Sequence, residues 1–135
     1  MNSLLQGRTN RATYWLLLGI VTAIFAALIF SGAKPPAIGE LVLIFLCVPR
    51  LHDLGWSGWW AAGIIALEVL VLVGAGLALS GDDLLVVAGI YAFGIAGFLI
   101  FLGLIPGQPM SNRFGERPAP GISFGRKPAD PDTVF

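Results

Sequence analysis

Charge is scarce in this sequence. Only 12% of its 135 residues are Asp, Glu, Lys or Arg, about half the roughly 25% of an ordinary soluble domain. Eight basic and eight acidic residues cancel, so net charge points to no nucleic-acid partner. Cysteine is nearly absent as well. Cys47 stands alone, which excludes an internal disulfide, and one Cys with one His makes a tetrahedral zinc site implausible. No glycine-rich stretch ends in the Gly-Lys-Ser/Thr of a phosphate-binding loop. What fills the space is apolar: 56% of residues are hydrophobic and mean hydropathy is +0.84. A soluble chain of this size leaves too much surface exposed to hide that fraction. The composition therefore excludes a soluble enzyme, a disordered tail and a nucleic-acid binder, and indicates a membrane protein.

Crossing a bilayer takes about 20 apolar residues. Three runs meet that length, at 12–30, 59–79 and 84–105, closed by Ser31-Gly32, by Ser80-Gly81-Asp82-Asp83 and by Pro106-Gly107. They are long, rich in Leu, Ala and Gly, and lack period-2 alternation, so they read as helices. The first follows Arg8 and Arg11 without a small-residue cleavage site and reads as a retained span. A fourth run, 37–51, makes about 22 Å of helix and contains Glu40 and Pro49. It is either a short span or a re-entrant segment. Charge placement favours the span. With four crossings and the N-terminus inside, Arg8, Arg11, Arg50, Arg113, Arg117, Arg126 and Lys127 all lie inside, leaving only Lys34 outside, as the positive-inside rule requires. Tyr14, Trp15, Trp56, Trp59 and Trp60 fall at the cytoplasmic ends, as interface anchors. The expected fold is all-α: an integral membrane bundle of four transmembrane helices over 1–115, N- and C-termini cytoplasmic. Residues 116–135, with Pro118, Pro120, Pro128 and Pro131 among glycine and charge, read as an unstructured cytoplasmic tail.

Small residues at spacing four mark candidate helix contacts: Gly19/Ala23/Ala27, Gly74/Ala78 and Ala88/Ala92/Ala96. Two glutamates lie inside spans. Glu40 is near a helix end and reaches the interface. Glu68 is near the middle of its span, where an ionisable group is a functional candidate. The bland alternative is a protonated or hydrogen-bonded carboxyl facing the bundle.

Three polar segments remain: GRTNRATYW at 7–15, RLHDLGWSGWW at 50–60, and Pro106-Gly107 followed by Asn112-Arg113-Phe114-Gly115. Over about residues 5–118 they resemble domain-of-unknown-function family 805, the YhaH-type small bacterial inner-membrane proteins. The central RLHD-x-G-x-SGWW carries most of that resemblance. The chain departs from the family pattern at Pro49, where a second arginine is usual, and at Trp56 and Met110. The resemblance implies a multi-pass protein of the bacterial inner membrane and implies no activity.

The residues themselves add a placement. In the four-span arrangement Arg8, Arg11, Arg50, His52, Asp53, Asn112 and Arg113 all reach the cytoplasmic face. Three readings follow. The basic residues hold loops inside while Asp53 pairs with an arginine. Or the arginines form a site for anionic phospholipid headgroups or for a membrane-protein partner, arginine's fork suiting phosphate. Or His52 and Asp53 act catalytically, which adjacency in sequence disfavours because geometry must come first. The expectation is a non-enzymatic membrane protein without cofactor or metal. The alternative is a small transporter or transporter subunit using Glu68. Arg50 and Asp53, three apart, share a helix face and are expected to meet other motif residues, with Arg8, Arg11 or Arg113 as candidates. A structural motif would be filled in by the tryptophans; a binding motif would converge arginines on a pocket.

Overall fold

The computed structural model describes residues 7–32 and 39–122, with backbone alone at 39–41. Lys34, the side chain of Glu40 and the tail from residue 123 lie outside the described residues. Four helices follow in order: α1 Arg11–Phe30, α2 Gly39–Asp53, α3 Trp59–Ala78 and α4 Asp82–Leu104. The described residues form no strand apart from a single bridge between Asn112 and Gly115.

Local chemistry sets the helix ends. The Asn10 side chain accepts from the Thr13 amide at 2.8 Å, satisfying one of the donors that an N-terminus leaves open. Asp82 and Asp83 occupy the first turn of α4, where the helix dipole favours negative charge. Arg50 and His52 occupy the last turn of α2, where it favours positive charge. Pro49 sits one turn from the end of α2. Gly55, at φ +79°, makes the reversal into α3, a backbone region costly for residues with a Cβ.

Three helices, α1, α3 and α4, are long and apolar enough to cross a membrane, with mean hydropathy of 2.2, 2.3 and 2.5 over their best stretches. The 15-residue α2 is not: at 1.5 Å per residue it is about 22 Å long. It packs against all three others, whereas α1 and α3 do not touch. The short helix thus shares with α4, which also meets all three others, the centre of the bundle.

The buried core gathers at one end. Tyr14 from α1, Leu46, Cys47, Val48 and Leu51 from α2, Ala61 from α3 and Leu102 from α4 form it together with Leu54. These are the N-terminal turns of α1 and α3 and the C-terminal turns of α2 and α4, as an alternating up-down bundle requires. Away from this end the long helices present apolar side chains outward: Ile24, Phe30, Leu70, Leu77, Leu85 and Phe93 are all exposed. An apolar surface of this extent is what a lipid-facing helix carries.

The small-residue rows of α1 and α3 do not mark the contacts. Gly19, Ala23 and Ala27 are exposed, and nothing lies within 4 Å of a Cβ built at Gly19 or Gly74. Close approach happens instead at Gly103, where a Cβ would meet the Trp15 ring at 2.5 Å. The Trp15 indole donates to the Gly103 carbonyl at 3.1 Å, and the Tyr14 hydroxyl donates to Leu99 at 2.9 Å. These bonds fasten α1 to the last turns of α4.

Candidate functional site: an arginine–aspartate clasp

Asp53 ends α2 and is buried, with 3% of its surface exposed. An ionised carboxylate at such a site is stable only when paired and hydrogen-bonded. It is doubly paired. Arg8, from the segment before α1, sets Nε 3.0 Å and Nη2 2.9 Å from Oδ1. Arg50, one turn back on α2, sets Nη1 2.5 Å from Oδ2.

Further donors of both guanidinium groups meet backbone carbonyls. Arg50, fully buried, donates from Nε to Leu102 at 3.0 Å, from Nη1 to Thr9 at 3.3 Å and from Nη2 to Ile105. Arg8 donates to Met110 and Gln108, each at 2.6 Å. Leu102 and Ile105 close α4; Gln108 and Met110 follow it. One carboxylate and two arginines therefore tie the N-terminal segment, α2 and the C-terminal end of α4 together. The Arg50 guanidinium also lies 5.8 Å from the Tyr14 ring centre, within reach of a cation–π contact.

Backbone bonds reinforce this closure. The Thr9 amide donates to Pro49 at 3.1 Å, and the Gln108 amide donates to the Asp53 carbonyl at 2.9 Å. The fit at Gly107 is tight: a Cβ there would lie 1.8 Å from Asp53 Oδ2, so any side chain would displace the carboxylate. At Gly55 a Cβ would lie 2.4 Å from the Gln108 side chain.

His52 continues the structure outward. Its ring stacks on Phe114 with centroids 3.9 Å apart and planes 6° from parallel. Its Nδ1 lies 3.2 Å from the Gly7 carbonyl, an acceptor, so Nδ1 carries the hydrogen. Burial pushes the imidazole below its usual pKa; the bond to Gly7 opposes this, and the nearby Arg113 adds to it. Asn112 donates to the His52 carbonyl at 2.8 Å and to the Gln108 side chain at 2.9 Å, and accepts from the Phe114 amide at 2.9 Å. The guanidinium of Arg113 lies 4.7 Å from the centre of the Phe114 ring.

The motif residues therefore divide. Arg8, Arg50, His52, Asp53 and Asn112 come together and point inward. Arg11 and Arg113 are exposed; Arg11 meets the Leu104 carbonyl at 3.5 Å. Trp56, Trp59 and Trp60 are exposed too, at 41%, 82% and 63%, and do not fill the face. The interior is filled instead by Tyr14, Leu51, Leu54 and Leu102, with protein carbonyls around the arginines. Gln108 is a participant outside every quoted motif, and Thr9 and Gly107 lie inside the quoted segments without having been singled out as site residues. Asn10 donates at 2.6 Å to both Ala119 and Gly121, so the described start of the tail lies against the head of α1.

Glu68 lies elsewhere, half-buried in the middle of α3. Among the described residues no group of three His, Cys, Asp or Glu side chains is placed to hold a metal.

A family model described as "Protein of unknown function (DUF805)" matches residues 4–116, most of the chain. No curated protein and no solved structure matches it.

Proposed function

The chain belongs to the DUF805 family, and from that premise we propose a non-enzymatic, multi-pass protein of the bacterial inner membrane with both ends cytoplasmic. In this reading α2 is a short fourth crossing, and the clasp seals the cytoplasmic end of the bundle. Arg11 and Arg113, on that same end, meet anionic phospholipid headgroups. The observation that carries the reading is the split among the arginines. Arg8 and Arg50 are committed to Asp53 and to carbonyl oxygens, which leaves no fork for a phosphate. Arg11 and Arg113 are exposed, and so are Trp15, Trp56 and Trp60, a residue type that sits at headgroup depth. Basic groups at that depth attract anionic lipid. A membrane-protein partner would use the same exposed groups.

The test is lipid enrichment around the protein in mixed phosphatidylglycerol–phosphatidylcholine nanodiscs, read by native mass spectrometry. The wild type is expected to retain phosphatidylglycerol preferentially, and the Arg11→Gln/Arg113→Gln variant to lose that preference roughly tenfold. Equal retention of both lipids by the wild type would overturn the headgroup assignment.

A second reading, a small transporter or transporter subunit working through Glu68, has one observation in its favour: a cleft of about 260 Å³ opens beside that residue, between α2, α3 and α4.

A further inference from the structure

Three separated parts of the chain meet on His52, which is buried with 8% of its surface exposed. Nδ1 faces the Gly7 carbonyl, before α1, at 3.2 Å. The ring lies flat on Phe114, beyond α4, at 3.9 Å. Nε2 faces the turn into α3, where a Cβ at Gly58 would lie 3.3 Å from it and 2.8 Å from a Val48 methyl. A methyl and a glycine Cα offer no acceptor, and among the described residues the hydrogen bond of this ring is the one at Nδ1. A neutral imidazole with its hydrogen on Nδ1 suits such a pocket. A protonated one brings a second N–H against an apolar wall, and a buried donor without an acceptor is costly, more so when it is charged.

The surrounding charges oppose a further cation as well. On α2, Arg50 and Asp53 flank the ring; before α1 stands Arg8; the first turn of α3, Trp59-Trp60-Ala61, carries no titratable group. After α4 come Arg113, 4.7 Å from the centre of the Phe114 ring, and the exposed Glu116 and Arg117. Asp53 is already shared between Arg8 and Arg50. The end of the α2 dipole favours a cation, but Arg50 occupies that same turn. An imidazolium is also attracted to an aromatic face, yet Arg113 already draws on this one.

We propose that the turn at 112–115 is a pH-operated latch, closed on neutral His52 and lifted when the ring is protonated. The turn is the part that yields. His52 is fixed within a helix, whereas the turn is held down by the Phe114 stack and by Asn112, which donates to the His52 carbonyl and to Gln108. Its ends are joined by the bridge from Asn112 to Gly115, so it moves as a unit. Lifting it lets water reach the imidazolium and leaves both ion pairs to Asp53 in place. The output is a displacement of Arg113, which rides on the turn. None of this depends on what Arg113 meets at the membrane surface.

The experiment is electron paramagnetic resonance of a nitroxide at Ser111→Cys in a Cys47→Ala background, with the full chain in phosphatidylcholine nanodiscs. Ser111 is exposed and adjoins the turn. The titration runs from about pH 8 to about pH 5, the range in which a histidine changes charge. The label is expected to be slow at the upper end and, reversibly, about threefold faster at the lower, as a released loop moves in nanoseconds. The midpoint should lie below the roughly 6.5 of a free imidazole, because the closed state holds the ring neutral. His52→Gln should give one spectrum at every pH, and Phe114→Leu, which removes the stacked ring, a fast label already at the upper end. A nitroxide at Asp82→Cys, at the far end of α4, should not change, which separates the latch from general unfolding. An unchanged label in the His52 protein, an equal change in His52→Gln, or a matching change at the Asp82 position overturns the proposal. If His52→Gln fails to assemble, Phe114→Leu decides: a label still slow at the upper end overturns it.

Discussion

Asp53 balances two buried guanidinium groups, so its loss should be felt out of proportion to its size. Removing one partner from a buried ion pair costs about 3–5 kcal/mol, because the remaining charge stays buried without compensation. Asp53→Asn is therefore expected to lower stability by about that amount in reversible unfolding from mixed micelles. Asp82→Asn, at an exposed helix start, should cost under about 1 kcal/mol. Equal effects would mean that the clasp contributes nothing. His52 predicts a pH dependence. Its folded-state pKa is depressed, chiefly by burial, so the folded protein favours the neutral ring. That contribution is fully present above the unfolded value of about 6.5 and is lost as pH falls through the folded value. Phe114 packs on the same ring, so below pH 6.5 the unfolding midpoint should fall in the wild type and fall less in His52→Gln. Identical slopes would remove His52 from the account. Some of this was legible in the residues: Arg50 and Asp53 at spacing three forecast their own pairing, and Arg8 was a candidate partner. The carbonyls of Leu102, Ile105, Gln108 and Met110 were not, since every residue carries one and only the fold selects which are used.

Among the elements, the three long helices could be read from length and apolarity alone. What the sequence obscured was the part played by α2. Its 15 residues, interrupted by Pro49, look like the weakest helix, yet it touches all the others, as α4 does. The reason lies in its last two turns, from Leu46 to Asp53, where every residue is buried. Pro49 brings no amide hydrogen for the carbonyl one turn back, a break that falls where the helix ends one turn later, and its own carbonyl is engaged by Thr9. The small-residue rows of α1 and α3 face outward because glycine and alanine are cheap anywhere in lipid. Three glycines at close approaches, Gly55, Gly103 and Gly107, belong to no such row. Each is fixed by one neighbouring side chain, Gln108, Trp15 or Asp53, from a distant part of the chain.

For the whole molecule, the polar closure at one end and the bare apolar surface elsewhere make the protein strongly asymmetric along the bundle axis. If both termini face the cytoplasm, a cysteine at Asp82 and one at Ser111, introduced singly into a Cys47→Ala background, should react with a membrane-impermeant maleimide from opposite sides. Reaction from the same side would refute the four-crossing arrangement. The clasp has a further consequence in the order of events at the ribosome. Arg8 and Arg50 are synthesised first, and their acceptors at Leu102, Ile105, Gln108 and Met110 come last. Domains form from the N-terminus onward during translation, but here the early helices wait for the late ones. A nascent chain halted after α3 holds two cations whose final partners have not yet been made. Only a polypeptide extended past Met110 can close, so the segment that follows α4 decides whether everything inserted before it is retained as a folded whole.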